Sequence, residues 1–302
     1  MGNVFYFGWE EQYLIWLQHL GESGILHTIL LALNNFFSML GEETICVAVM
    51  GFIYWGISKE KGRRIGIVVV AANISNGMIK NIFKRLRPYQ VLDKVNLIRE
   101  VGGFSFPSGH SANAAALYPT TAYEFKSKKW LKYIAVIVPI CVAVSRNFLG
   151  AHWPTDVLVG LIQGILIFAI VEFLSAKIDN KYIVYGILLA VGFLGMFYCK
   201  TEDYFNSYGM MIGVFLGTLF EEKFVNFENT NKIPLIILRT IFGAVVYLGC
   251  NTIIKALIGG IFAEDTYGYF IMRVIRYALV VFILLGIYPL AFGIEKKLFK
   301  KS

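Results

Sequence analysis

The sequence predicts an all-α protein built as a polytopic bundle of transmembrane helices. Hydrophobic residues make up 57% of the 302-residue chain and charged residues only 16%, whereas a soluble domain of this length needs far more polar surface. Apolar runs alternate with short clusters of Lys and Arg along the chain. The net charge of +8 lies in these short loops, which indicates membrane topology and argues against a nucleic-acid partner.

The segment 1–40 is predicted to lie on the outer membrane surface as amphipathic helices. No Lys or Arg precedes Lys59, and the aromatic side chains of Trp9, Tyr13 and Trp16 favour the membrane interface. Polar side chains interrupt the apolar stretch 5–39: Glu10, Glu11, His19, Glu22, His27, Asn34 and Asn35. An alternative interpretation makes 24–39 a short first span.

Nine membrane spans follow in the preferred interpretation, and ten if 24–39 also crosses. They are predicted at 42–57, 64–84, 108–125, 131–147, 154–175, 182–199, 207–222, 233–257 and 268–294. Basic clusters beginning at Lys59, Lys126, Lys177 and Lys296 are assigned to the cytoplasm by the positive-inside rule. The chain is therefore expected to start outside and to end inside.

These spans divide into a motif-bearing core bundle at 41–176 and a four-span C-terminal extension at 177–302. The extension contains no motif that indicates chemistry. Three cations at the predicted outer ends of its spans run against the positive-inside trend: Lys255, Arg273 and Arg276. The nearby carboxylates of Glu264 and Asp265 offer a structural explanation through ion pairing.

The first motif of the core pairs Lys80 with Arg87, followed by Pro88. Residues seven apart on a helix project from one face, so the two cations are predicted to lie two turns apart. The helix is expected to end at Pro88, because the residue before a proline avoids the α region. Taken alone, the two cations also fit interfacial anchors whose charged ends reach the headgroups.

The second motif, Pro107-Ser108-Gly109-His110, is predicted to start a helix with Ser108 as its N-cap. The free N–H groups of the first turn and the positive end of the helix dipole attract anions. Gly109 lets the backbone approach such a ligand closely. An ordinary capped helix start has the same pattern, but it does not need the imidazole of His110.

In the third motif, Ser145-Arg146 precedes His152, and Asp156 follows His152 by four residues. Asp156 is expected in the first turn of a helix that begins at Pro154. Its carboxylate can accept the proton of one imidazole nitrogen, which leaves the other nitrogen free as a nucleophile. The topology above brings the three motifs to the outer face of the membrane.

Together these motifs resemble the signature of the type-2 phosphatidic acid phosphatase family. The matching strings are Lys80-x6-Arg87-Pro88, Pro107-Ser108-Gly109-His110 and Ser145-Arg146-x5-His152-x3-Asp156. The resemblance implies His152 as the nucleophile, Asp156 as the group that orients it, and His110 as the general acid. It implies that the phosphoryl oxygens are held, without a metal or other cofactor, by Lys80, Arg87, Ser108, Gly109 and Arg146.

The function expected from this resemblance is hydrolysis of a lipid phosphate or pyrophosphate through a phosphohistidine. Candidate substrates are phosphatidic acid, phosphatidylglycerophosphate, polyprenyl pyrophosphate and sphingoid phosphate. The expected location is the outer face of a bacterial cytoplasmic membrane. A phosphotransferase that passes the same phosphoryl group to another acceptor is one alternative, and a lipid or ion transporter is a second. The oligomeric state is left open.

Overall fold

The computed structural model describes residues 2–20 and 24–293 and confirms the all-α prediction. No strand occurs in this part of the chain, which contains only an isolated bridge between Asn3 and Arg85. Glu22 and the basic cluster that begins at Lys296 lie outside the described residues.

Eleven α-helices make up most of the described chain. They are α1 (Gly8–His19), α2 (Ile25–Met39), α3 (Glu43–Gly51), α4 (Lys59–Phe83), α5 (Gly109–Glu124), α6 (Leu131–Phe148), α7 (Pro154–Lys177), α8 (Lys181–Phe193), α9 (Glu202–Phe220), α10 (Ile233–Ile258) and α11 (Tyr267–Phe282). A π-helical turn, Phe52–Ile57, continues α3, and a second one, Glu221–Val225, continues α9.

Five of the described helical segments are long and apolar enough to cross a membrane: Lys59–Phe83, Leu131–Phe148, Pro154–Lys177, Ile233–Ile258 and Tyr267–Ala291. A sixth crossing is possible only if Ile25–Met39 and Glu43–Ile57, which bend by 55° at their junction, form one broken span. Each of the nine predicted spans coincides with helix, but nine crossings are not confirmed. The 16-residue helix α5 shows why, since at 1.5 Å per residue it reaches only about 24 Å.

The described chain divides into two compact units. The first comprises the residues up to Cys46 together with Ser75–Leu174, and the second comprises Val47–Ile74 together with the residues from Ser175 onward. All three sequence motifs lie in the first unit.

Within the first unit, α6 packs against α1, α2 and α5. Helix α1 buries Glu10, Leu14 and Leu17, and Leu14 packs in a cluster with Trp153 at the start of α7. Helix α7 approaches α5 closely at Gly160, where a Cβ atom would lie 2.5 Å from the carbonyl oxygen of Ser108. The interfacial position of segment 1–40 stays a prediction.

Within the second unit, α9 packs along α11. A Cβ atom on Gly213 of α9 would lie 2.7 Å from the carbonyl oxygen of Ala278, so this contact requires glycine. Ion pairs gather at the C-terminal end of α9, where Lys59 Nζ lies 2.9 Å from Glu221 Oε1 and Lys181 Nζ lies 2.5 Å from Glu222 Oε1. They attach two of the predicted cytoplasmic basic clusters to the same end of this helix.

Candidate active site

Lys80 and Arg87 are both buried, but they do not share a helix face. The last turn of α4 contains Lys80, and the helix ends at Phe83 because Lys84 turns the chain with a φ of 49°. The predicted helical relationship between the two cations is therefore wrong. The effect expected of Pro88 is present, since Arg87 has extended backbone with φ −79° and ψ 155°.

Backbone carbonyl groups fix the guanidinium group of Arg87. Its Nε donates to Gly103 at 3.0 Å, and its Nη1 donates to Ala151 at 2.7 Å. Its Nη2 donates to Gly102 at 2.5 Å. These neutral carbonyl groups orient the guanidinium group at the site, where its positive charge can act on an anion.

The start of α5 has the predicted N-cap. Ser108 is fully buried, and its hydroxyl accepts a hydrogen bond from the backbone N–H of Ser111 at 3.4 Å. Lys80 lies beside this turn, because a Cβ atom on Gly109 would be only 3.8 Å from Lys80 Nζ. The next residue, His110, is half-buried. The first turn of α5 thus combines open N–H groups with an ammonium group.

Arg146 lies in the last turn of α6 and is almost completely buried. Its Nη1 donates to the hydroxyl of Ser38 at 2.6 Å. Its Nε and Nη2 are buried and have no hydrogen-bonding partner among the described residues. Unpaired buried donors of a charged group are costly, so the arrangement favours an anionic ligand with several acceptor oxygens.

His152 follows α6 in the short connection to α7 and is buried. Its Nε2 lies 3.2 Å from Arg87 Nη1, and its Nδ1 lies 3.4 Å from Asp156 Oδ2. Burial, together with the positive charges of Arg87, Arg146 and Lys80, lowers the pKa of His152 well below its ordinary value of 6.5. The imidazole is therefore neutral at physiological pH, as a nucleophile requires.

Asp156 lies in the first turn of α7, as predicted, and is fully buried. Its Oδ2 faces Nδ1 of His152 and accepts hydrogen bonds from the hydroxyl of Ser105 and from the backbone N–H of Trp153. Its Oδ1 lies 2.6 Å from Nη1 of Arg85. Both carboxylate oxygens are thus satisfied, which holds the group in one orientation.

Arg85 and Glu10 are part of this network but were missed by the sequence motifs. Arg85 donates to Asp156, to the hydroxyl of Thr155 at 2.7 Å and to Glu10 Oε2 at 2.9 Å. Glu10 is fully buried, and its Oε1 accepts hydrogen bonds from the backbone N–H and the hydroxyl of Thr155. In the sequence, the signal for Glu10 is an acidic residue inside an apolar segment, a pattern that also fits a helix at the membrane interface.

The eight residues singled out by the motifs all belong to the first unit, around the starts of α5 and α7. His110 lies close enough to Arg146 and Lys80 for their positive charges to act on it, and it adds its imidazole to the cluster. Fold and site together define an integral membrane protein with a buried, cation-rich centre around a neutral histidine.

Comparison with known families identifies this class. Residues 61–178 match the PAP2 superfamily, and residues 205–297 match the PAP2 superfamily phosphatase transmembrane extension. These two regions cover most of the chain, and the chain belongs to the PAP2 superfamily. The family resemblance found in the sequence is confirmed.

Several curated proteins are similar to this chain. Phosphatidylglycerophosphatase B of Bacillus subtilis is 40% identical over 113 residues, which is 35% of this chain and 53% of that protein. Undecaprenyl-diphosphatase of Sulfolobus acidocaldarius is 29% identical over 154 residues, or 48% of this chain and 68% of that protein. The crystal structure of Aquifex aeolicus LpxE matches 54% of this chain and 94% of its own, with 24% identity and a TM-score of 0.48. The chain thus spans about half the length of the Bacillus relative.

Proposed function

We propose that the protein hydrolyses a lipid phosphate or pyrophosphate through a covalent phosphohistidine. The buried, unpaired nitrogens of Arg146 carry this proposal. They lie in a cluster where Arg87 is 3.2 Å from the nucleophilic nitrogen of a neutral His152. A phosphoryl group supplies the oxygens that such donors lack, and it is also the electrophile that His152 would attack.

In the proposed first step, Nε2 of His152 attacks phosphorus while the bond from phosphorus to the leaving oxygen breaks. His110 starts this step as an imidazolium, which the negative charge of the bound phosphate favours, and it donates its proton to that oxygen. The lipid then leaves as an alcohol, or as a monophosphate when the substrate is a pyrophosphate. Asp156 accepts the hydrogen bond from Nδ1 and stabilises the positive charge on the ring. The product is a phosphohistidine at His152.

In the second step, water attacks the phosphohistidine and His110 takes up its proton. The phosphorus–nitrogen bond breaks, its electron pair returns to Nε2, and inorganic phosphate leaves. Both imidazoles then have their starting protonation states, which closes the cycle.

Preorganised positive charge supplies the electrostatic part of catalysis in this proposal. Lys80, Arg87 and Arg146 hold the nonbridging oxygens, and the hydroxyl of Ser108 and the N–H of Gly109 add hydrogen-bond donors at the start of α5. Hydrolysis of phosphate monoesters requires rate enhancements of up to about 10²¹-fold, and much of this comes from such positioning and charge. Because the proposed mechanism uses no metal, EDTA should not inhibit the enzyme. Orthovanadate should inhibit it, because vanadate mimics the pentacoordinate state of phosphorus.

A lipid substrate is favoured by the homologues, which are membrane lipid phosphatases. Phosphatidylglycerophosphatase B and undecaprenyl-diphosphatase are named for phosphorylated lipids, as is the lipid A 4'-phosphatase of Bacteroides thetaiotaomicron, which is 32% identical over 103 residues. The positive-inside rule supports an outer-face site, where the enzyme meets lipids already moved across the membrane.

The test is turnover and phosphoenzyme trapping with purified protein, EDTA and a panel of phosphorylated lipids and sugars. His152→Ala should lose turnover on every substrate and should form no acid-labile radiolabelled phosphoenzyme. The matched control is His19→Ala, because His19 is exposed on α1, where Nδ1 of its ring lies 2.7 Å from the carbonyl oxygen of Ile15, and it belongs to none of the three motifs. Activity of His152→Ala within tenfold of the wild type would contradict the proposal.

A further inference from the structure

A second polar cavity lies in the second unit, in the extension whose role the motifs leave unassigned. Its volume is about 570 Å³, and its walls are one face of α11, the last turn of α10, the connection between them and the first turn of α9. Three of its lining residues are the cations that run against the positive-inside trend, Lys255, Arg273 and Arg276. None of the motif residues contributes to it.

We propose that this cavity binds the phosphate group of an anionic ligand, with a membrane phospholipid headgroup as the favoured source and free phosphate as the other. Three cations and two carboxylates, Glu202 and Glu264, line it, so positive charge is in excess. The inference is independent of the catalytic proposal, because it concerns binding by other residues.

Contacts within the protein explain why the positive charge of Arg273 is tolerated at this position. Its Nη2 lies 2.9 Å from Glu202 Oε2, its Nη1 donates to the hydroxyl of Tyr269 at 2.8 Å, and its Nε donates to Asn206 Oδ1 at 2.9 Å. This cation is therefore neutralised and fixed within the wall of the cavity, and it is not the anion-binding group.

Among the described residues, the guanidinium group of Arg276 is hydrogen-bonded through Nε but not through its terminal nitrogens. Its Nε donates to Asn251 Oδ1 at 2.8 Å, which orients the guanidinium plane. Asn251 and Lys255 are four residues apart on α10, so they share a face and Lys255 lies on the same side as Arg276. Across the described residues, neither the terminal nitrogens of Arg276 nor Nζ of Lys255 has a hydrogen-bonding partner.

Ion pairing with Glu264 and Asp265, the structural explanation favoured by the sequence, is wrong for these two cations. Glu264 lines the cavity, but within residues 24–293 neither carboxylate forms an ion pair with Lys255 or Arg276. A planar guanidinium fork beside a flexible ammonium group suits a phosphate, which accepts hydrogen bonds at several oxygens.

The position of the cavity favours a lipid as the source of the phosphate. Helix α9 has 19 residues and is about 28 Å long. The cavity lies at its N-terminal end, and the ion pairs of Glu221 and Glu222 lie at its C-terminal end. The cavity is therefore at the predicted outer end of the helix. Apolar side chains beside it are highly exposed, with Ile253 at 61% and Leu257 at 73%, and their i, i+4 spacing offers a track for an acyl chain.

The experiment measures binding of phosphatidylglycerol to the detergent-purified full chain by native mass spectrometry, with phosphatidylcholine as the neutral lipid and inorganic phosphate as competitor. Phosphatidylglycerol is a phosphodiester, so it is not a substrate of the proposed reaction. The variant Lys255→Gln/Arg276→Gln should bind phosphatidylglycerol at least tenfold more weakly. The control Lys232→Gln removes an exposed cation from the opposite end of α10 and should stay within twofold of the wild type.

Two further arms identify the source and guard against misfolding. Failure of 10 mM inorganic phosphate to compete in the wild-type protein supports the lipid headgroup, whereas competition in the wild-type protein supports free phosphate at the same site. Lys255→Gln alone changes an exposed side chain and should lose about fivefold with an unchanged melting temperature. Wild-type binding of both probes by the folded double variant would overturn the inference.

Discussion

Arg85 Nη1 lies 2.6 Å from Asp156 Oδ1, and both side chains are almost completely buried. The opposite oxygen of the carboxylate faces the imidazole of His152. In the proposed mechanism Arg85 therefore affects His152 indirectly, because it holds the carboxylate that orients the imidazole. Removing one partner of such a buried pair typically costs about 3–5 kcal/mol, because the remaining charge is left unpaired.

The first prediction concerns Arg85 as a positioning residue. Arg85→Gln should lower kcat by about 10²-fold. Without Arg85, Asp156 can shift, and it then no longer fixes the tautomer and the orientation of His152. The control is Lys84→Gln, which removes the neighbouring cation. Measurement of Arg85→Gln, Asp156→Asn and the double variant gives a decisive cycle. If the two residues act as one unit, the double variant is hardly worse than Asp156→Asn, whereas fully additive losses would contradict the positioning role.

The second prediction concerns the leaving group. His110→Ala should slow phosphoenzyme formation from a lipid phosphate by about 10²–10⁴-fold, because the leaving group of this substrate is a poor alkoxide that needs a proton. An activated aryl phosphate hardly needs protonation, so its loss should be much smaller. Rapid-quench measurement of both substrates checks this. Equal losses on the two substrates would instead make His110 a phosphate-binding residue.

The third prediction concerns pH. Because the pKa of His152 in the folded protein lies well below 6.5, its neutral form persists as the pH falls through 6.5. After allowance for ionisation of the substrate, the acid limb of kcat/KM should therefore lie below pH 6.5. Lys80→Gln removes one of the charges that lower this pKa, so its limb should move to higher pH. An acid limb centred at 6.5 in the wild type, or a downward shift in the variant, would contradict this electrostatic account.

The low pKa of His152 keeps the imidazole neutral for catalysis at acid pH, but it lowers the stability of the folded protein there. Below pH 6.5 the unfolded chain protonates His152 while the folded chain does not, so the unfolded state binds more protons. The contribution of this residue to the free energy of unfolding therefore falls as the pH drops below 6.5.

Local motifs predicted which residues the structure brings together at the candidate site, because most of these residues lie at helix ends. Ser108 and Asp156 sit at the starts of α5 and α7, where capping preferences and Pro154 mark the boundaries. The pairing of Arg87 with His152 follows a chain reversal after α4, which begins at Lys84 and has no periodic signal. The helix-face argument for Lys80 and Arg87 failed at that residue.

Long-range pairing accounts for the other misses. Glu10 contacts Arg85 across 75 residues of sequence, and no local pattern distinguishes a buried carboxylate with a distant partner from one at a membrane surface. The count of nine spans is unconfirmed for a related reason. Helices such as α5 bury Ser111, Asn113 and Thr120 within the protein, so their composition follows internal packing rather than lipid exposure.

The final prediction concerns the side of the membrane. Residues between Arg87 and Ser108 form the loop beside the site, and Val95 in this loop is buried, so a reporter cysteine belongs at the exposed Lys94. The exposed Ser127 lies in the basic loop between α5 and α6. Opposite labelling of these positions would separate an outer site from a cytoplasmic one.

In a background with the four native cysteines replaced, Lys94→Cys should react with an impermeant thiol reagent in intact cells, and Ser127→Cys only after lysis. The physical reason is the positive-inside rule, because the Lys126–Lys129 cluster retains its loop in the cytoplasm, while Asp93 and Glu100 offset the cations of the other loop. Labelling of both variants in lysed cells controls for accessibility. Reaction of Ser127→Cys alone in intact cells would place the site in the cytoplasm, where the substrate would be lipid that has not crossed the membrane.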